Sequence, residues 1–366
     1  MKTVIIYKEA LLHFSETFIA EQAGALRTFR PKFVGLRRAD PCLSFGGESL
    51  QLSTDPGRFA KWRVSLYRRM PIAPLFHHRV KRLEADLIHA HFAPDGAQVS
   101  ALAARLHLLL VVTLHGADVT VRRDFAHHYG KLWARAALIL CVSEFIRCKA
   151  IEAGFPPEKL RVHHIGIDLG KFSPAAIPRT PGLILFVGRL VEKKGCEGLL
   201  RAMNIVRAVV PNVSLIVVGD GPLRSSLTAL ASSLGLSCQF LGAQPAGEVL
   251  SWMHRASVFC VPSQTASDGD SEGLGMVFLE AQACKLPVVS NRHGGIPEAV
   301  KHGKTGLLVE EGDFRALSEA LIRYLTNPGF AIEHGSAGRA WVESNFDLCK
   351  QTAALEEIYE QVLSGG

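Results

Sequence analysis

Short apolar runs rich in β-branched residues alternate with amphipathic stretches along nearly the whole chain. The first half carries TVIIY (3–7), KFVGL (32–36), ADLIHAHF (85–92), LLLVVTLHG (108–116), ALILCVS (137–143) and LRVHHIGID (160–168). The second carries LILFVGR (183–189), VSLIVVGDG (213–221), CQFLG (238–242), ASVFCVPS (256–263), LPVVSN (286–291) and TGLLV (305–309). Continuous apolar strands separated by amphipathic helices predict parallel sheets covered on both faces. DLGKFSPAAIPRTPG (168–182), with prolines at 174, 178 and 181, reads as a linker between the halves. The expectation is an α/β protein of two Rossmann-like, doubly wound domains facing each other across a cleft. Their predicted spans are 1–172 and 173–345, with a C-terminal helix over 346–366 packing back on the first domain. Ligands of such sheets bind at the carboxyl ends of the strands.

Composition narrows the class. Of 366 residues, 48% are hydrophobic and 20% charged, a balance that suits a globular protein with a large core. No run approaches the roughly 18 uninterrupted apolar residues of a membrane span. MKTVIIYKEALLHFSE reads as a strand entering a polar loop, not as a signal peptide. Eight cysteines without a C-x-x-C pair read as reduced thiols, so a cytoplasmic setting is expected.

Charge is unevenly placed. Residues 1–172 carry 25 Lys and Arg against 15 Asp and Glu, whereas the remainder carries 16 against 19. Much of the excess lies in GRFAKWRVSLYRRMPIAPLFHHRVKR (57–82), where Arg58, Lys61, Arg63, Arg68, Arg69, Arg79, Lys81 and Arg82 face no acidic neighbour in sequence. With Phe59, Trp62, Leu66 and Tyr67 among them, the segment reads either as a solvated face or as a peripheral contact with an anionic membrane. No nucleic-acid motif accompanies it, and no nucleic-acid partner is expected.

Chemistry gathers at strand ends. After the strand ending near Gly188 come Arg189, Lys193 and Lys194, cations suited to a diphosphate. Gly219 and Gly221 follow the next strand, where backbone can approach a ligand. SEGLGMVFLEAQACKLPVV (271–289) then sets Glu272 and Glu280 eight residues apart. With a helix starting near Gly273, the two carboxylates lie about 12 Å apart. That is too far for two acids working on one bond, which stay within roughly 6.5–9.5 Å even in inverting glycosidases. The spacing fits an extended nucleotide sugar instead. Glu272 meets the sugar, the amides of Gly273, Leu274 and Gly275 with Arg189 and Lys194 hold the diphosphate, and Glu280 reaches the ribose.

These segments resemble, in order, the family-4 retaining glycosyltransferases of the GT-B fold, with the E-x7-E motif at Glu272 and Glu280. FVGRLVEKKG, VVGDGPLRSSL and GKTGLLVEEGD fall in the family's order, as do HAHF, THGAD, CVSE and HHIGID in the first half. The resemblance implies a nucleoside-diphosphate sugar as donor and a saccharide or lipid-linked saccharide as acceptor. It further implies retention of anomeric configuration, by front-face attack with the leaving diphosphate helping to deprotonate the acceptor. No cofactor and no catalytic metal are implied. His115 of THGAD would lie beside the sugar, with Asp118 supporting its loop. Many relatives carry a glycine-rich loop after the first strand, where this chain has LLHFSETFI. That loop is closer to the exopolysaccharide-assembly and colanic-acid-type branch, where a similar Ser-Glu-Thr loop occurs, and Ser15, Glu16 and Thr17 would line the acceptor or phosphate side of the cleft.

Competing readings remain at this level. A nucleotide-sugar epimerase on the same fold would bind the same donor, and a non-catalytic sugar-binding module would need no His115. His89 and His91 share one strand face but lack a third ligand at metal-site spacing. Asp268 and Asp270 mimic a metal-binding D-x-D pair, although their polar loop context favours loop and helix-capping roles.

Overall fold

Residues that are apolar at every position of a short run can be satisfied only inside a sheet covered on both sides. The computed structural model has two such sheets. It describes residues 1–13, 16–39, 43, 46–53, 58–121 and 125–365, with the backbone only at 58, 60, 125–128 and 131. Contacts divide the chain into one unit of Met1–Gly166 with Leu348–Gly366 and a second of Ile167–Asp347.

In the first unit the strands are β1 (Lys2–Tyr7), β2 (Ala10–Leu11), β3 (Phe29–Gly35), β4 (Arg37–Arg38), β5 (Ser49–Gln51), β6 (Leu87–His91), β7 (Leu109–Leu114), β8 (Leu138–Cys141) and β9 (Leu160–Val162). Seven form one sheet in the order β5-β3-β1-β6-β7-β8-β9, while β2 and β4 pair separately. Every pairing is parallel. The helix Leu348–Ser364 completes this unit. Its Leu355, Ile358 and Tyr359 join Val4, Ile6, Phe29 and Phe33 in one apolar core. The Glu356 carboxylate accepts the amides of Arg27, Thr28 and Phe29 at 2.8, 2.6 and 3.0 Å.

The second unit contains β10 (Leu183–Val187), β11 (Ser214–Val218), β12 (Cys238–Gly242), β13 (Val258–Cys260), β14 (Val288–Asn291) and β15 (Gly306–Val309). They form a parallel sheet in the order β12-β11-β10-β13-β14-β15. The proline-bearing stretch before β10 is tied to this unit, since Arg179 donates to the carbonyls of Met253, Ala256 and Cys284. In both sheets the strand order turns back on itself at one place, between β1 and β6 and between β10 and β13. Each turn-back is a crevice-forming switch point.

Candidate active site

At the second unit's switch point, β10 runs out into Gly188 and Arg189, and β13 into the irregular stretch that contains Glu272. Glu192–Lys194 forms a short 3-10 turn that brings both lysines over this stretch. Lys194 Nζ lies 2.5 Å from Glu272 Oε2, and Lys193 Nζ lies 2.9 Å from Asp270 Oδ1. Burial alone would raise the Glu272 pKa. Lys194 and Lys193, with a smaller contribution from His293, overcome it and hold the carboxyl down at about 2. The exposed Arg189 side chain has no hydrogen bond or ion pair among the described residues. One cation is therefore committed to Glu272 while the neighbouring guanidinium is available to an anion.

The helix after Glu272 starts at Met276, later than the spacing argument placed it. Gly275, at φ +85°, is left-handed, a conformation that cannot belong to a right-handed helix. Gly273, Leu274 and Gly275 are thus a buried turn leading into the helix, and Glu280 sits half-buried in its second turn. Gly219 and Gly221 serve loop packing at this end. A Cβ on Gly219 would lie 1.9 Å from the Gly188 carbonyl oxygen, and one on Gly221 2.5 Å from that of Leu190. Asp268 accepts the Asp270 amide at 2.9 Å, a loop role for the D-x-D pair. Among the described residues no group of three or more metal-ligating side chains is assembled.

In the first unit, His115 follows β7, the strand that pairs with β6 on the side away from β1. Asp118 holds its loop, accepting from the amides of Gly116 at 2.7 Å, His115 at 3.1 Å and Ala93 at 3.2 Å. Burial pushes the Asp118 pKa up and these bonds oppose it. The His115 ring lies against Phe92 and Phe18, with Nε2 3.1 Å from His91 Nδ1. Burial, then Lys8, then His89 lower the His115 pKa well below its ordinary value, so the imidazole is neutral near pH 7. His91 stacks in turn on His89, which bonds Tyr359 at 2.6 Å and Thr113 at 2.7 Å. Sequence reading set His89 and His91 aside as poor metal ligands. Their pairing partners, 24 and 270 residues away, carry no local signal.

After β1, a buried ion cluster gathers around Lys8. Lys8 Nζ is 3.0 Å from Asp95 and 3.1 Å from Glu16, and 4.1 Å from the centre of the Phe92 ring. The second Glu16 oxygen accepts the His13 amide at 2.8 Å. Thr17 opens the helix Thr17–Gly24. Ser15 lies outside the described residues.

The basic segment divides into the helices Arg58–Arg69 and Pro74–Lys81. Tyr67 faces inward with Val64, bonding His77 at 3.0 Å, and so leaves the outward aromatic set that the sequence suggested. Phe59, Trp62 and Leu66 point outward, 80%, 62% and 44% exposed, and Met70, Ile72 and Leu75 continue the exposed apolar stripe. Arg68 is drawn onto Glu9. The Arg58 side chain lies outside the described residues. Among the described residues no helix is long and apolar enough to cross a membrane.

Comparison with known proteins gives the family and the fold. A model described as Glycosyltransferase Family 4 matches residues 18–171, and one described as Glycosyl transferases group 1 matches residues 171–341. The amylovoran biosynthesis glycosyltransferase AmsK of Erwinia amylovora is 35% identical over 84% of this chain and 79% of its own. A GDP-mannose-dependent alpha-(1-6)-phosphatidylinositol monomannoside mannosyltransferase of Mycolicibacterium smegmatis is 36% identical over 78% of this chain and 80% of its own. Among solved structures, Anabaena HepE in complex with UDP and glucose superposes with a TM-score of 0.80 at 19% identity, covering 99% of this chain and 100% of that one. That likeness identifies the fold as GT-B.

Proposed function

We infer the reaction from kinship: this chain belongs to the family 4 glycosyltransferases. It moves a sugar from a nucleoside-diphosphate sugar to a saccharide or lipid-linked saccharide acceptor in the assembly of a bacterial surface polysaccharide, with retention of anomeric configuration. The observation that carries this reading is the Lys194–Glu272 pair at the β10/β13 switch point, where Arg189 follows β10 with no partner among the described residues. Glu272 takes sugar hydroxyls, and Arg189 and Lys194 take the diphosphate with Gly188, Gly273, Leu274 and Gly275. Glu280 takes the ribose. As the glycosidic bond breaks, negative charge grows on the leaving diphosphate, and the cations Arg189 and Lys194 oppose it. The neutral His115 is a hydrogen-bond partner of the transferred sugar rather than a further cation. The reaction uses no metal and no cofactor.

Incubation with uridine, guanosine and adenosine diphosphate sugars tests this. A transferase releases nucleoside diphosphate only when acceptor is present, and proton NMR of the product reads the retained anomer. Turnover persists in excess chelator. Release of an altered sugar without acceptor would favour the epimerase instead.

A peripheral membrane contact belongs to the same reading. The outward Phe59, Trp62 and Leu66 stripe, flanked by Lys61, Arg63 and Arg69, has the composition of a helix that lies in an anionic interface. A lipid-linked acceptor would be met there.

A further inference from the structure

Glu272 lies near the end of a stretch from Val261 to Gly275 that contains no helix or strand. A segment of that length inside a compact domain needs anchoring from outside itself. We propose that His293 and Glu311 form a clamp that fixes the Glu272 backbone, which makes both of them positioning residues for the transferred sugar. The second clause rests on Glu272 being the sugar contact; the first does not.

The hydrogen bonds define the clamp. The Glu272 amide donates to His293 Nε2 at 3.1 Å. Because an amide can only donate, Nε2 is the accepting nitrogen. The ring proton therefore lies on Nδ1, where it faces Glu311 Oε1 at 2.5 Å. The other Glu311 oxygen accepts the Thr265 amide at 2.9 Å. One imidazole–carboxylate pair thus holds the stretch at both Thr265 and Glu272.

The opposite side of the peptide is held as well. The Gly295 amide donates to the Glu272 carbonyl at 3.0 Å. Gly294 stands at φ +54°, so close that a Cβ there would lie 2.3 Å from the same carbonyl oxygen. His293 is 4% exposed. With its N–H and C=O both engaged, Glu272 can aim its carboxylate only by side-chain rotation, and Lys194 takes that up. The turn HGG at 293–295 is therefore a cradle for Glu272, not only the entry to the helix Ile296–Ala299.

A purely structural histidine and a positioning histidine respond differently to conservative replacement. His293→Phe keeps ring bulk and removes the acceptor, whereas His293→Gln offers a carbonyl near the Nε2 position. Displacement of a reacting group by about 1 Å can cost on the order of 100-fold. His293→Phe is expected to lower kcat by about 10- to 100-fold while nucleoside diphosphate affinity, read by calorimetry, stays within about twofold. His293→Gln should recover most of kcat. Hydrogen exchange over peptides spanning 265–275 should quicken in His293→Phe, and in Glu311→Leu, whose partly exposed site tolerates the change more easily. It should stay at the wild-type rate in His293→Gln. Unchanged exchange in both His293→Phe and Glu311→Leu would overturn the clamp whatever Glu272 does. Quickened exchange with full turnover in Glu272→Gln would keep the clamp and overturn its role toward the sugar.

Discussion

Lys194 and Glu272 neutralise one another at the end of β10, their side chains 12% and 13% exposed. A cation assigned to the diphosphate and a carboxylate assigned to the sugar are thus one unit before any donor binds. The Glu272 pKa, about 2 against an ordinary 4.5, makes that unit a pH-dependent support of the fold. A depressed carboxyl contributes stability that is present above its unfolded value and lost as pH falls toward the folded one. The shift corresponds to about 3 kcal/mol. Glu272→Gln should be less stable than wild type at pH 7, because it leaves Lys194 buried without its counter-charge. The difference should narrow by about that amount as pH falls from 5 to 2, read from urea unfolding midpoints.

The two glutamates should separate in binding experiments. Glu280→Gln is expected to weaken free nucleoside diphosphate by about tenfold or more, the scale of a lost hydrogen bond to a charged group. Glu272→Gln should cut turnover and leave nucleoside diphosphate affinity close to wild type. Equal losses of affinity by calorimetry in both variants would remove the distinction between sugar and ribose contacts.

Arg189 and Lys194 should also part company. Each alanine variant is expected to lose on the order of 100-fold in turnover through the leaving diphosphate. Arg189 is exposed and has no partner among the described residues, so Arg189→Ala should melt with wild type. Lys194→Ala strands a buried carboxylate and should lose roughly 3–5 kcal/mol as well. Thermal melts beside steady-state rates check both statements.

Buried histidines set a second pH limit. Burial, with neighbouring cationic groups, lowers His89 to about 3, His163 to about 4 and His91 well below its ordinary value. Unfolding lets each take a proton below pH 6.5, so stability falls as pH drops from there toward the folded values. Each contributes up to about 1.4 kcal/mol per pH unit in that window. His163→Gln should flatten the loss by about one such increment, measured as the pH slope of unfolding free energy between 6 and 5. An unchanged slope would mean that the folded imidazole already carries its proton.

Vesicle co-sedimentation addresses the outward stripe. Binding should require anionic lipid and weaken when Lys61, Arg63, Arg69 and Arg79 become glutamine, at about 1 kcal/mol per engaged charge. Trp62→Ala and Phe59→Ala should each weaken it by about 1.5–3 kcal/mol, the scale of burying a large apolar side chain, and these losses should persist in high salt. A wild-type protein left in the supernatant at low salt would make the helix a solvated face.

Both main sheets could be read from the chain because parallel strands covered on two sides are continuous apolar runs, from LILFV at β10 to VVSN at β14. β4 escaped notice for the converse reason: it is Arg37–Arg38, with no apolar signal at all. Of the candidate site, what could be read was the placing of particular residue types at strand ends, such as Arg189, Lys194 and His115. What could not be read was chemistry made by distant backbone, since the Glu272 amide met by His293 is an atom every residue but proline shares. The basic helix shows a third limit. Its sequence carries two apolar faces, and only packing decides that Val64 and Tyr67 go inward while Phe59, Trp62 and Leu66 stay outside.

The return of helix Leu348–Ser364 to the first unit has a consequence for synthesis. Leu355, Ile358 and Tyr359 belong to the same core as β1, yet the whole second unit is made between them. At roughly 5–20 residues per second, the intervening stretch of about 180 residues takes on the order of 10–40 s to translate. Through that interval the first sheet exists without the helix that covers part of it, and the amides of Arg27, Thr28 and Phe29 lack their carboxylate. The part of the protein made first is the last to be finished. A nascent chain stalled before Leu348 should therefore present a protease-sensitive first unit beside a resistant second one.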